Sequence, residues 1–392
     1  MDFRNMRMSE NSVSGVGERI PLLIPDMPSP QLLMPWLERM HATKQYSNFG
    51  PLVGELEASF AHNFDCPAEQ ITTVSNATQG LELVLQALNL RPGAHVLIPA
   101  FTFVATATAV LRAGCTPVLA DVDLDSWMIT PSIARDAYSR IPIDAVLPVA
   151  TFGMPHDMHA WQQFELETGL PVVIDAAASY GSQWLQEAQG TLVFSLHTTK
   201  SLPAGEGGLV VSSRPGLAAR VRQLSNFGIN LDSSREVPVG SLAYCGTNAK
   251  MSEYHAAIGL ASLDSWSENA HKRRCLQKQL RMDLDRVSGN VLSWQMQGLV
   301  GDIAAPTLLC ARWPSHVARE KAEYRCNKAG IMTRRWYQPL LQNMPALVAQ
   351  CKVLPTPNAH ALEETLLGLP FFIGMTLEQR QRILSAIGDR DF

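Results

Sequence analysis

Three short segments carry side chains whose types suggest chemistry. Asp175 closes the apolar run PVVID (171–175), and Ser195, His197 and Lys200 follow the run TLVF (191–194). The third segment, SNATQG (75–80), follows ITTV and has the composition of a helix start. A lysine amine can form an imine with an aldehyde, and a carboxylate can keep a ring nitrogen protonated. A helix N-terminus offers free N–H groups to a phosphate. Each feature alone has an ordinary reading. A strand-end Asp commonly caps a helix or turn, a lone Lys is usually solvated, and GEGG (205–208) is by itself a turn.

The elements that must position these residues can be read from the apolar pattern. Candidate strands fall at 71–76, 95–100, 116–123, 144–153, 171–177, 191–196 and 208–213, most of them continuously apolar, as strands buried on both faces are. Helix candidates at 78–90, 103–113 and 158–169 alternate with them, which indicates a largely parallel α/β sheet. Ligands of such sheets gather at the carboxyl ends of the strands, where Asp175, Lys200 and SNATQG all fall. In that order they match what pyridoxal 5′-phosphate (PLP) needs: a lysine for its aldehyde, a carboxylate for its pyridine nitrogen and a cradle for its phosphate.

A long helix is expected from Ser252 towards Val287, ended by SGN. Prolines then become frequent and apolar runs fewer, which suggests a smaller C-terminal α+β domain. The expected division is a loose leader at 1–18, a cofactor-binding domain at 19–255, and the long helix with the small domain at 256–392. The chain has 392 residues, is 46% hydrophobic and 17% charged, and carries a formal net charge of −4. That balance gives no electrostatic reason for a nucleic-acid or anionic-membrane partner. Seven scattered cysteines without a CxxC pair argue against a disulfide framework or a zinc knuckle and read as reduced thiols in the cytoplasm; no metal is expected.

The segment VFSLHTTKSLPAGEGGLVVSS (193–213) resembles the Schiff-base segment of the DegT/DnrJ/EryC1/StrS sugar aminotransferases. IPAFTFVATATAVLRAGCTPVLADVD, VVIDAAASYG and TNAKMSEYHAAIGLASLD support the resemblance, with YSNFGP and LGLPFF adding to it, over about residues 20 to 385. It implies a three-layer α/β/α large domain with a mostly parallel seven-stranded sheet, the type I fold of PLP transferases. It also implies transfer of an amino group, from glutamate, to a keto-deoxysugar linked to a nucleotide diphosphate. Lys200 would then hold PLP and move protons, and Asp175 would pair with the pyridinium. Phe103 would stack on the ring, while Ala77, Thr78 and Ser195 would bind the phosphate. Asn248 would reach the phosphate of a second subunit, which implies a homodimer with its sites at the interface. Glu206, Lys250, Arg334 and Trp336 are substrate-side candidates.

The chain departs from the family pattern in three places. Ala178 stands where the family has Gln or His near the ring oxygen, and Lys250 where it commonly has Arg. AVLPVATFG (145–153) lacks the usual His–Leu–Tyr before its glycine. An Arg fork grips a carboxylate at two points, whereas Lys acts as a point charge. The alternatives are a PLP-dependent sugar dehydratase, in which the family replaces the lysine by histidine, and a regulatory protein that binds cofactor and sugar without turnover.

Overall fold

The computed structural model describes residues 19–234, 236–296 and 303–388; the leader expected at 1–18 lies outside the described residues. Seven strands occupy the expected places: β1 (Ile71–Val74), β2 (His95–Pro99), β3 (Thr116–Ala120), β4 (Ala145–Val146), β5 (Ile174–Asp175), β6 (Thr191–Ser195) and β7 (Gly208–Ser212). They run β1-β7-β6-β5 and β3-β2-β4, and the two groups join through isolated bridges Val146↔Val172 and Val149↔Asp175. All neighbours are parallel except those of β7, which is antiparallel to both β1 and β6. A parallel crossover usually needs a helix. The segment between β6 and β7 contains none, so β7 turns back beside β6.

Side-chain alternation explains why these strands read as continuously apolar. Leu97, Val118, Leu192, Phe194 and Leu209 enter one core with Leu56 and Phe60 of helix α2 (Pro51–Asn63) and Trp161 of α6 (Met158–Thr168). Val96, Ile98, Leu119, Val193 and Val210 enter a second with Leu81 of α3 (Ala77–Ala87), Val110 of α4 (Val104–Arg112) and Val221 of α7 (Leu217–Ser225). Helices therefore cover both faces, which makes the layer order α/β/α. Two further helices, α1 (Pro30–Thr43) and α5 (Pro131–Arg140), complete this part.

The long helix α8 runs Glu253–Ser288, capped by Ser252 at one end and by Gly289 in the left-handed conformation at the other. Beyond it, β8 (Ser293–Trp294), β9 (Leu309–Arg312) and β11 (Leu366–Leu369) form an antiparallel sheet in the order β11-β9-β8. With α9 (His316–Lys328) and α11 (Leu377–Gly388) they enclose a third core that includes Leu280 and Leu284 of α8. Not all of the later chain stays there. Strand β10 (Lys352–Val353) pairs with the β3 edge, and helix α10 (Pro357–Thr365) places Ala359 and Leu362 in the second core. Ile20, in return, joins the third.

The expected strands at 144–153 and 171–177 prove shorter than their apolar runs. After β4 the chain leaves regular pairing, and Phe152 and Gly153 turn at φ 54° and 95°. No helix among the described residues is long and apolar enough to cross a membrane.

Candidate active site

The carboxylate at the end of β5 is buried, and its neighbours fix its orientation. Thr106 on α4 donates to Asp175 Oδ2 at 2.8 Å, and the Ala177 N–H donates to Oδ1 at 3.2 Å. Thr102 and Thr106 are themselves in hydroxyl contact at 3.0 Å, both buried. Burial pushes the Asp175 carboxyl above its ordinary range, while the two hydrogen bonds and the charge of Lys200 pull it back. Lys200 responds in the opposite sense. Burial lowers its ammonium below the ordinary lysine value, and the negative charge of Asp175 opposes the drop. The amine and carboxylate, 25 residues apart in sequence, thus share one electrostatic environment.

Beside them lies the N-terminus of α3. Asn76 caps it by accepting from the Gln79 N–H at 2.9 Å, which leaves the amides of Ala77 and Thr78 for a ligand. Gly208, the first residue of β7, packs directly against this turn. A Cβ there would come within 2.7 Å of the Asn76 carbonyl carbon and 2.8 Å of the Ala77 nitrogen. Ser195 sits opposite Gly208 in the β6–β7 register, so its hydroxyl belongs to the same corner.

Phe103 caps α4 three residues before Thr106 and is 45% exposed, so part of its ring remains accessible. Tyr337 flanks it at 6.4 Å between ring centroids and stacks on Phe152 at 5.4 Å. The acidity of its phenol is depressed first by burial and also by the charge of Asp175, which places Tyr337 near the same carboxylate. Trp336 contacts both Tyr337 and Phe152, and the Arg334 guanidinium lies 4.2 Å from the Trp336 ring centre on the exposed side. Arg335 is bound to Glu323 instead.

Glu206 stands 3.6 Å from His197 Nε2, and its charge also acts on His255. Asn248 and Lys250 bond to each other at 2.7 Å, and the Lys250 ammonium lies over Phe227. Between them Ala249 accepts from the Ser75 N–H at 2.7 Å, so this stretch borders the start of α3 while the Asn248 side chain faces outward. The structure thus couples Lys200 to Asp175, places Ser195 and Gly208 against the α3 start with Ala77 and Thr78, and sets Phe103 three residues before the Thr106 that holds Asp175. Glu206 is tied to this group through His197, Arg334 and Trp336 through Tyr337, and Asn248 and Lys250 are engaged with each other. Thr106, Tyr337 and His197 are the residues that sequence reasoning left without a role. Thr106 had a signal: it is a hydroxyl within an apolar helix whose partner is the strand-end carboxylate.

This donor set fits pyridoxal phosphate. A lysine with a depressed ammonium pKa faces a buried carboxylate, an aromatic face stands open, and a glycine clears room at a helix N-terminus. Fold and site together define a type I PLP-dependent transferase. The profile of the DegT/DnrJ/EryC1/StrS aminotransferase family matches residues 33–388, and the chain belongs to that family. Among solved structures, it is similar to a Bacillus cereus protein provisionally named a PLP-dependent aminotransferase (27% identity, TM-score 0.84, 95% of this chain and 100% of that one). DesI, solved in the presence of its TDP-sugar product, is 28% identical with a TM-score of 0.83, covering 95% of this chain and 93% of its own. DesV of S. venezuelae, in complex with a ketimine intermediate, is 25% identical with a TM-score of 0.79, covering 95% and 98%.

Proposed function

We propose that this aminotransferase moves an amino group from an amino acid, glutamate, to the keto carbon of a deoxysugar carried on a nucleotide diphosphate. The observation that carries the reading is the Lys200 amine, its ammonium pKa lowered by burial, in the same buried environment as Asp175. Bound PLP supplies an electron sink for the carbon whose amino group is exchanged. The chain's residues do the rest. Asp175, oriented by Thr106, holds the pyridine nitrogen protonated. Lys200 would hold the aldehyde and would move protons as base and acid. The amides of Ala77 and Thr78 and the Ser195 hydroxyl would hold the phosphate, and Phe103 would cover the ring. DesI, a relative solved with a TDP-sugar, supports the sugar substrate. Glu206, Arg334, Trp336 and Lys250 are assigned to its recognition.

The outward-facing Asn248, beside the exposed apolar residues Phe227, Leu231, Val239 and Leu242, supports a homodimer in which Asn248 completes the partner's phosphate site. Seven unpaired cysteines support a cytoplasmic setting. The test uses purified protein loaded with PLP and followed by absorbance. Glutamate should convert the bound cofactor to its amine form, and a nucleotide-linked keto-sugar from a panel should restore the original spectrum. If no amino acid converts the cofactor, the aminotransferase reading fails.

A further inference from the structure

Two threonines four residues apart, Thr102 in the turn after β2 and Thr106 in the first turn of α4, lead to the Asp175 carboxylate. Thr106 donates to Asp175 Oδ2 at 2.8 Å, and the Thr102 hydroxyl lies 3.0 Å from that of Thr106. Both threonines are 1% exposed, and neither hydroxyl has another hydrogen-bond partner among the described residues. Each hydroxyl has one proton to give, and a buried proton without an acceptor is costly. With Asp175 ionised, Thr102 donates to Thr106, Thr106 donates to Oδ2, and the Ala177 N–H donates to Oδ1. Every proton then has an acceptor. With Asp175 protonated on Oδ2, the line has to reverse. The carboxyl donates to Thr106, Thr106 turns to Thr102, and the Thr102 proton is stranded in a buried site. Protonation on Oδ1 instead sets the new proton against the Ala177 N–H.

We propose that Thr102 and Thr106 form a one-way line of hydroxyls that keeps Asp175 ionised, with Thr106 as a positioning residue and Thr102 as the residue that fixes its direction. Burial creates the need for such a line. It disfavours the Asp175 charge, and Lys200 supports that charge only while it is protonated, a state that burial also disfavours. Tyr337, on the segment after α9, also senses Asp175, but burial holds its phenol in the neutral form. Threonine hydroxyls do not titrate in this range, so their support persists when the lysine gives up its proton. A carboxylate that accepts hydrogen bonds is the weaker base, and it leaves a shared proton on a facing pyridine nitrogen. That consequence rests on the aminotransferase reading above, whereas the hydroxyl line does not.

The test begins with urea melts of the cofactor-free protein at stepped pH. Wild type is compared with Thr106→Val, Thr106→Ser and Thr102→Val, and with Thr106→Val in an Asp175→Asn background. Loss of the Thr106 hydroxyl raises the native Asp175 pKa further above its unfolded value. The stability lost as pH rises through that titration therefore grows, and the urea midpoint of Thr106→Val should fall further below wild type at higher pH. Thr102→Val should show the same trend with smaller amplitude, and Thr106→Ser should follow wild type. In the Asp175→Asn background the pH trend should vanish. The second readout is the nitrogen-15 resonance of holoenzyme loaded with ring-labelled PLP. It should lie at the pyridinium position in wild type and Thr106→Ser, and move towards neutral pyridine in Thr106→Val. A Thr106→Val loss that is equal at every pH, or a trend that survives Asp175→Asn, makes Thr106 a packing residue and overturns the proposal. A Thr102→Val protein that matches wild type throughout overturns the two-hydroxyl line, and an unmoved resonance in Thr106→Val overturns its consequence for the cofactor. None of these results touches the aminotransferase reading, which fails separately if glutamate leaves the bound cofactor unchanged.

Discussion

At the scale of single residues, the same physics gives three buried ionisable groups different tasks. Burial disfavours charge on Lys200 and Asp175 alike, but each charge supports the other. Removing the carboxylate leaves burial alone to act on the lysine. Asp175→Asn should therefore lower the ammonium pKa further, and the rate at which the cofactor-free chain captures pyridoxal phosphate should reach half-maximum at a lower pH than in wild type. A midpoint that stays or rises refutes the coupling. His156 is buried for structural reasons. Its Nε2–H donates to the Val149 carbonyl at 2.9 Å and its Nδ1 accepts from the Trp161 indole at 3.2 Å, so both ring nitrogens are used in the neutral form. Burial lowers its pKa from 6.5 to about 4. Between those values the unfolded chain binds a proton that the native chain refuses, so stability falls as pH drops through the window. The loss levels off below pH 4 at about 3 kcal/mol. Denaturant melts at stepped pH should show this slope, and His156→Gln should flatten it whatever its own cost in stability.

At the scale of elements, carboxylates from distant segments finish the helices. Helix α2 starts at Gly50, which offers no capping side chain. Glu253, the first residue of α8, accepts instead from the Leu52 and Val53 N–H groups, both at 2.8 Å. Gly50 is required by that approach, since a Cβ there would lie 2.7 Å from the Glu253 carboxyl carbon. Glu253 is fully buried, so Glu253→Ala strands two donors and should cost about 2–4 kcal/mol of unfolding free energy, with Glu253→Gln intermediate. Equal stability of Glu253→Ala and wild type in urea melts would refute the capping role. Asp121, at the end of β3, does the same for α10, accepting from Asn358 and Ala359 at 3.0 and 2.8 Å.

At the scale of the whole molecule, segments far apart in sequence exchange places between the cores. The β10–α10 segment extends the edge of the large sheet, and Ile20 crosses to the third core. The proposed dimer follows from what is left outside. If Asn248 completes the partner's site, Lys200→Ala and Asn248→Ala chains are each inactive alone for different reasons. Refolded together in equal amounts, half of the dimers are mixed and each mixed dimer holds one intact site, so about a quarter of wild-type activity should return. No gain over the separate variants would mean that each site is built within one chain.

The sequence by itself determined the alternation of elements and the long capped helix. Apolar period and turn composition are local properties, and Lys200, Asp175 and SNATQG sit at predictable strand ends. The apolar pattern alone does not separate Asp175 from Asp121, both closing apolar strands; packing sets one in the field of a lysine and the other at a helix N-terminus. Nor could it give the antiparallel turn of β7 or the shared environment of Tyr337 and Asp175. Each depends on groups far apart in the chain, whose energies depend on distance and burial in space and leave no pattern along the sequence.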